Sequence, residues 1–77
     1  LNDINYKDQI LKYFHQQFQQ SPVYKEEDRE GPPHKTIFTM SIYDNNNNRL
    51  GIGKGTTKRA AEQNASKAAL QKLGVLK

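Results

Sequence analysis

Hydrophobic residues along the chain change their spacing between segments, and these changes divide it into helical and extended regions. Residues 5–19 repeat apolar side chains at helical intervals, which predicts an amphipathic helix. Its apolar stripe comprises Tyr6, Ile10, Tyr13 and Phe14, widened by Leu11 and Phe18. Its polar side comprises Asp8, Lys12, His15 and Gln19. Ser21-Pro22 ends the helix, because proline disfavours helical geometry in the residue before it.

Three extended segments follow this helix. Val23 to about Asp28 is polar enough to form an edge strand, and residues 31–34 (Gly-Pro-Pro-His) are typical of a loop. Residues 35–43 alternate, which directs Phe38, Met40 and Ile42 to a buried face and Thr39 and Ser41 to a solvated face. The asparagine-rich residues 44–48 form the hairpin connection to a third strand, from Arg49 to about Gly55.

The third strand and the last helix have complementary compositions. Glycines at 51, 53 and 55 recur at every second position, so one face of this strand has no side chains and another element must approach it closely. Residues 57–73 form a helix that Gly74 ends. Its small face comprises Ala61, Ala65, Ala68, Ala69 and Leu73. We therefore predict an α+β fold, α-β-β-β-α, with two helices packed on one face of a three-stranded antiparallel sheet.

The start of the last helix carries an unusual pair of charges. Thr57 is a good N-cap, so Lys58 and Arg59 fall in the first turn, where acidic residues are favoured. Free amides, the helix dipole and both cations would all face one anion, which indicates phosphate binding. The alternative to phosphate binding is that both side chains are simply solvated and bind no ligand.

Length and composition define the class of protein. The 77 residues form one small domain, 1–77, with its core at about 5–73. A net charge of +4 and a pI of about 9.5 favour an acidic partner. The chain contains no cysteine, no apolar segment long enough to cross a membrane and no signal-peptide pattern, so we expect an intracellular location, cytoplasmic or nuclear.

Together these features resemble the double-stranded RNA-binding domain over nearly the whole chain, from Tyr6 to about Leu73. The Gly-Pro-x-His loop and the basic pair that opens an alanine helix carry the resemblance. Residues 53–65 (Gly-Lys-Gly-Thr-Thr-Lys-Arg-Ala-Ala-Glu-Gln-Asn-Ala) resemble the ribonuclease III branch in particular, in which Ala-Glu-Gln follows the basic pair.

The resemblance implies a contact with RNA in three parts. In this family, helix one and the loop between strands one and two enter successive minor grooves, and the start of helix two binds phosphates between them, over about 16 bp. The loop contact falls on Pro32, Pro33 and His34, and the phosphate contact on Lys58 and Arg59. Glu62 stands at the family's third basic position, so we expect Lys54 to substitute for it.

The first helix differs more from the family. Leu11 and Lys12 stand where the family often has glutamine and glutamate, and His15 stands where a second glutamine is usual. The helical wheel still groups the four polar residues, so we expect Asp8, Lys12, His15 and Gln19 to form the minor-groove surface.

The resemblance implies double-stranded RNA as the partner, and we expect no membrane, small-molecule substrate, cofactor or metal. The acidic residues at 26–30 look solvated and supply no nuclease centre, so the chain itself is predicted not to be an enzyme. Its first residue, Leu1, suggests a piece of a longer protein, such as a ribonuclease III-type endoribonuclease that dimerises through another domain. The alternatives are a stand-alone RNA-binding regulator and a protein-interaction or dimerisation module of the same fold.

Overall fold

The computed structural model describes residues 4–76, and its elements follow the predicted order. Helix α1 spans Tyr6–Phe18, strands β1, β2 and β3 span Val23–Glu30, Ile37–Tyr43 and Arg49–Gly55, and helix α2 spans Lys58–Lys72. The strands form one antiparallel sheet in the order β1-β2-β3, so β1 is an edge strand as predicted. The predicted α-β-β-β-α fold is therefore confirmed. The predicted domain limits 1 and 77 lie outside the described residues.

Capping groups explain where the helices begin and end. The Asn5 side chain accepts a hydrogen bond from the Asp8 amide at 3.0 Å, and Gln19 ends α1 in a left-handed conformation with φ of 54°. Both residues flank the helix, whereas the predicted range 5–19 counted them inside it. After α2, Gly74 has φ of 79° and the next amide, Val75, donates to the Leu70 carbonyl at 2.9 Å, which confirms the predicted glycine end.

The hydrophobic core lies between the sheet and the two helices. Its fully buried residues are Ile10 and Phe14 of α1, Ile42 of β2, and Ala65, Ala69 and Leu70 of α2. Leu11 and Phe18 were predicted to widen the buried stripe of α1, but they are 37% and 48% exposed. The reason is that α1 packs on one side only, and the Phe18 ring instead makes edge contacts with Tyr13 and Phe14, with ring centroids 6.2 and 5.2 Å apart.

The prediction that Thr39 and Ser41 lie on a solvated face of the sheet is wrong in one respect. Thr39 and Ser41 point away from the helices as expected, but they are only 4% and 0% exposed. They lie on the central strand, in register with Asp28 and Lys25 of β1 and with Lys54 and Ile52 of β3. The longer side chains of the two outer strands flank them on both sides, so a small residue in the middle of this face is excluded from water.

Strand β3 and helix α2 approach so closely that no side chain fits between them. A Cβ atom added to Gly53 would lie 2.3 Å from the Ala65 backbone nitrogen, and one added to Gly51 would lie 2.4 Å from the Ala65 carbonyl oxygen. The prediction that an element approaches the glycine face is confirmed, and that element is the alanine face of α2. This contact determines where the first turn of α2 lies at the end of the sheet.

Candidate nucleic-acid interface

The first turn of α2 presents two cations at its positive end. The Thr57 side chain caps the helix by accepting from the Ala60 amide at 3.0 Å, and no acidic residue occupies the first turn. Lys58 and Arg59 are both exposed, as the sequence predicted. The arrangement places two positive side chains beside helix amides that have no partner within the helix, which is chemistry that suits a phosphate.

A groove connects this turn to helix α1. It has a volume of about 490 Å³, and its lining includes Asp8 and Leu11 of α1, Tyr24 of β1 and Arg59 of α2. The groove therefore brings together Asp8, the first residue of the predicted polar stripe, and Arg59 of the predicted phosphate-binding turn.

A second groove lies between the loop that joins β1 to β2 and Thr56, which immediately precedes the N-cap of α2. It has a volume of about 470 Å³, and Pro33, His34, Phe38 and Thr56 contribute to its walls. The loop is ordered by a 3₁₀ turn at Pro33–Lys35, which explains why β2 begins at Ile37 and not at residue 35. Pro32, Pro33 and His34 are all exposed. The loop thus lies beside the residue before the N-cap of α2, while α1 lies beside Arg59 across the first groove.

The polar stripe of α1 is exposed along its whole length. Lys12 Nζ lies 3.1 Å from a carboxylate oxygen of Asp8, and His15 Nε2 lies 3.1 Å from the Ser21 hydroxyl. Gln19 donates from its side chain to the Gln16 carbonyl at 3.2 Å. From Asp8 to Gln19 the stripe extends about 16 Å at 1.5 Å per residue, which is the scale of a groove contact.

Lys54 is the predicted site residue that the structure separates from the others. Because Gly53 and Gly55 face α2, the side chain of Lys54 points to the opposite face of the sheet. There its ammonium group lies 3.6 Å from Glu30. The expectation that Lys54 takes over the third basic position is therefore not supported by its orientation.

Glu62, which stands at that third basic position, joins the two helices. Its carboxylate forms an ion pair with the Lys7 ammonium group of α1. The neighbouring Gln63 accepts from the Lys7 amide at 2.9 Å and donates to the Ile4 carbonyl at 2.9 Å. We refer to Lys7, Glu62 and Gln63 as the helix clamp. Sequence reasoning assigned these residues no structural role, because the bonds join positions 55 to 59 residues apart.

Glu26 and Arg29 form a cluster with Lys58 that the sequence did not reveal. The Arg29 guanidinium donates two hydrogen bonds to Glu26, at 3.1 and 3.0 Å, and Lys58 Nζ lies 3.2 Å from the same carboxylate. Hydrogen bonds from Arg29 and then from Lys58 hold the pKa of Glu26 below its ordinary value. The acidic residues at 26–30 are exposed, as expected, but Glu26 also forms ion pairs that the sequence did not predict.

A β-bulge brings this cluster together. The register of β1 on β2 shifts between Glu26 and Asp28, so Glu26 pairs with Met40 while Arg29 pairs with Phe38. Met40 and Phe38 share the helix-facing side of β2, so Glu26 and Arg29 share that side as well. Strict alternation along β1 would place residues 26 and 29 on opposite faces, and no local sequence signal marks the bulge.

Between residues 4 and 76, no three histidine, cysteine, aspartate or glutamate side chains form a group that could hold a metal ion. Over the same residues, no helix is both long and apolar enough to cross a membrane.

Comparison with known proteins agrees with this geometry. The model of one protein family, described as the double-stranded RNA binding motif, matches residues 6–73. A solved structure, described as that of Arabidopsis HYL1 with implications for miRNA processing, superimposes with a TM-score of 0.75 and 30% identity, covering 90% of this chain and 96% of the other.

Curated relatives include several ribonucleases. A probable ribonuclease 3 from Acanthamoeba polyphaga mimivirus is 47% identical over 70 residues, which cover 91% of this chain and 13% of that protein. Ribonuclease 3 from Roseiflexus sp. strain RS-1 is 40% identical over 70 residues, covering 91% and 29%, respectively. Ribonuclease 3 from Clostridium perfringens is 36% identical over 74 residues, covering 96% and 31%. The chain therefore spans less than a third of the length of these three relatives.

Proposed function

This chain belongs to the double-stranded RNA-binding motif family, and from that membership we propose that it serves as the substrate-binding module of a ribonuclease III-type endoribonuclease. Binding of double-stranded RNA is the function of the domain itself. The similarity to ribonuclease 3 proteins over nearly the whole chain supports the proposed parent enzyme. Such an enzyme would act inside the cell, in the cytoplasm or nucleus, and would dimerise through a domain outside these residues.

The observation that carries the proposed mode of binding is the position of the α2 start between two grooves. One groove contains Arg59 and Asp8, where the polar stripe of α1 begins, and the other contains Thr56 with Pro33 and His34 of the loop. In our proposal, these two elements enter successive minor grooves of A-form RNA while Lys58 and Arg59 bind phosphates across the major groove between them. Asp8, Lys12, His15 and Gln19 make the α1 contact. We leave Lys54 out of this interface because it faces the other side of the sheet.

Recognition of this kind depends on shape and on 2′-hydroxyl groups, with little dependence on base sequence. Hydrogen bonds to sugars and phosphates position a protein on a duplex but do not read its sequence directly. A-form and B-form duplexes differ in the width and depth of their grooves, so three contacts arranged for one form do not all reach the other.

The test is a titration of the domain with duplexes of one sequence, about 20 bp long, made of RNA or of DNA, at physiological salt. We expect tighter binding to RNA, and weaker binding to an RNA duplex of about 8 bp, which is half of the contact length. Equal affinity for the RNA and DNA duplexes would contradict the proposal. Incubation with Mg²⁺ under the same conditions should leave the RNA intact, because cleavage is assigned to a different domain of the parent enzyme.

A further inference from the structure

Three of the cations predicted to contact RNA are already paired with carboxylates of the domain itself. Lys12 lies 3.1 Å from Asp8, Lys54 lies 3.6 Å from Glu30, and Lys58 lies 3.2 Å from Glu26. Two of these pairs have little bearing on the phosphate contact, because Asp8 and Lys12 belong to the minor-groove helix and Lys54 faces away. The Glu26–Lys58 pair lies at the phosphate-binding turn itself.

The surroundings of Glu26 resemble those of a bound phosphate oxygen. Its carboxylate accepts two hydrogen bonds from one guanidinium and lies within ion-pair distance of an ammonium group. Guanidinium and ammonium groups are also the usual partners of phosphate in proteins. The Glu26 side chain is 30% exposed and that of Lys58 is 55% exposed, so an approaching phosphate has access to the same ammonium group.

We propose that Glu26 limits the affinity of the domain for double-stranded RNA by competing with a backbone phosphate for Lys58. This inference rests on the proposed role of Lys58 in binding RNA. In the free domain, Glu26 neutralises part of the positive charge at the start of α2 and also engages Arg29. Binding of RNA requires either displacement of this carboxylate from Lys58 or its retention beside a phosphate, and both outcomes weaken the complex.

Arg29 makes the effect of Glu26 larger than that of one ion pair. The guanidinium group lies over the Phe38 ring, with its central carbon 4.8 Å from the ring centroid, and Phe38 also lines the groove beside the Pro32–His34 loop. Glu26 therefore holds a second cation at the border between the loop and α2. Loss of the Glu26 charge leaves both Lys58 and Arg29 available to phosphates.

The experiment compares Glu26→Gln with Asp28→Asn, which changes net charge equally from two positions further along the same strand. Asp28 pairs in register with Thr39 and belongs to the outer face, away from Lys58. We expect Glu26→Gln to tighten binding of a 20-bp RNA duplex about three- to tenfold, because two exposed ion pairs, to Lys58 and to Arg29, no longer compete with the phosphates. Asp28→Asn should change affinity less than about twofold, because its charge is distant and screened.

The salt dependence of binding gives an independent readout. If Glu26→Gln allows one more phosphate to be neutralised, the slope of log affinity against log salt becomes steeper by about 0.7–0.9. In the background of Lys58→Gln, the gain from Glu26→Gln should shrink, because Lys58 is absent and only Arg29 remains to be released. Glu26→Ala tests the same charge without the amide, and circular dichroism shows whether each variant is folded.

The outcomes separate this inference from the proposed function. If the folded wild-type domain does not bind RNA duplexes in preference to DNA, the proposed function is wrong. If the wild-type domain binds RNA and Glu26→Gln gains no more than Asp28→Asn, competition by Glu26 is refuted while the function stands. Weaker binding by both Glu26 variants would show that the carboxylate positions Lys58 for RNA, which also refutes competition.

Discussion

Lys58 and Arg59 occupy helix positions at which a cation opposes the helix dipole. Each charge in an exposed first turn costs a few tenths of a kcal/mol to about 1 kcal/mol. For Lys58 the cost is offset in part by Glu26, whose carboxylate lies 3.2 Å away. Within residues 4–76, no carboxylate lies within ion-pair distance of Arg59, which lines the groove towards α1. At the scale of single residues, Arg59 is therefore the cation most directly available to a phosphate.

Replacing both cations tests this assignment. Lys58→Ala with Arg59→Ala should weaken RNA binding and reduce the log–log salt slope by about 1.5–2, since two phosphate contacts are lost. The free energy of unfolding should stay nearly unchanged, because a surface ion pair is lost and an unfavourable dipole interaction is removed.

The matched control removes two cations that lie elsewhere. Lys25 stands on the outer face of the sheet near the Tyr43 ring, and Lys72 lies in the last turn of α2. Lys25→Ala with Lys72→Ala lowers the net charge equally but should leave most of the slope in place. Slopes that fall by the same amount in both double variants would show that only net charge matters.

At the scale of elements, the proposed mode of RNA binding requires a fixed position of α1 relative to α2. In that proposal the two helices contact different grooves of the duplex, so an error in their spacing would weaken both contacts together. The helix clamp connects the first turn of α1 to the second turn of α2 through Glu62 and Gln63. Tyr6 adds to the same junction, because the Lys67 ammonium group lies 5.6 Å from the centroid of its ring. The acidic residue at a basic position of the motif thus has a structural use.

Gln63→Ala removes both hydrogen bonds that the Gln63 side chain makes in the helix clamp. We expect a loss of about 1–3 kcal/mol in the free energy of unfolding, since each of the two hydrogen bonds contributes about 0.5–1.5 kcal/mol. RNA affinity should fall with an unchanged salt slope, because no phosphate contact is removed. Thermal unfolding and salt titrations measure these two effects.

Two further variants define the role of Gln63. Gln63→Glu keeps an acceptor for the Lys7 amide but loses the donor to the Ile4 carbonyl, so it should recover part of the stability. Gln17→Ala, at an exposed position of α1, should change neither stability nor affinity appreciably. A flatter salt slope in Gln63→Ala would show that Gln63 acts at the RNA and not through the helices.

At the scale of the whole molecule, carboxylates that accept hydrogen bonds from other side chains and from the backbone make the stability of the domain sensitive to acid. Hydrogen bonds from Asn48 and Asn46 hold the pKa of Asp44 below its ordinary value in the β2–β3 connection. Arg29 and Lys58 lower the pKa of Glu26, and the Tyr43 hydroxyl lowers that of Glu27. Each of these carboxylates accepts its own hydrogen bonds, so each should contribute to the loss of stability in acid.

The sign of the pH dependence follows from these directions. A carboxylate with a lowered pKa in the folded state is more readily protonated when the chain unfolds, so its stabilisation is complete above the unfolded pKa of about 4 and is lost as the pH falls through the lower folded value. We therefore expect the unfolding temperature to fall between about pH 5 and pH 3. Asp44→Asn should show a smaller fall over this range, and an equal fall would exclude Asp44 as a contributor.

The order of the elements was predictable because it depends on local patterns. Helical spacing in residues 5–19, alternation in residues 35–43 and proline or glycine at the ends of elements each act over a few positions. The match between the glycine face of β3 and the alanine face of α2 was also predictable from the sequence. The glycines recur at every second residue, as one face of a strand requires, and the alanines recur at helical spacing. Even the orientation of Lys54 followed from its place between two glycines, and the expectation that it joins the phosphate contact overlooked that alternation.

Tertiary structure alone decided which of these side chains meet. The bulge in β1 turned Glu26 and Arg29 to the same face and brought their charges to Lys58, about 30 positions further along the chain. The same holds for Glu62 and Gln63, whose partners lie in α1 or just before it. It also holds for Thr39 and Ser41, which their neighbours on the outer strands exclude from water. The sequence thus determined the elements and the basic pair at the start of α2, because backbone preference and side-chain period are local. It did not determine the charge left available to RNA, because ion pairing depends on distances of 3–4 Å between residues that only folding brings together.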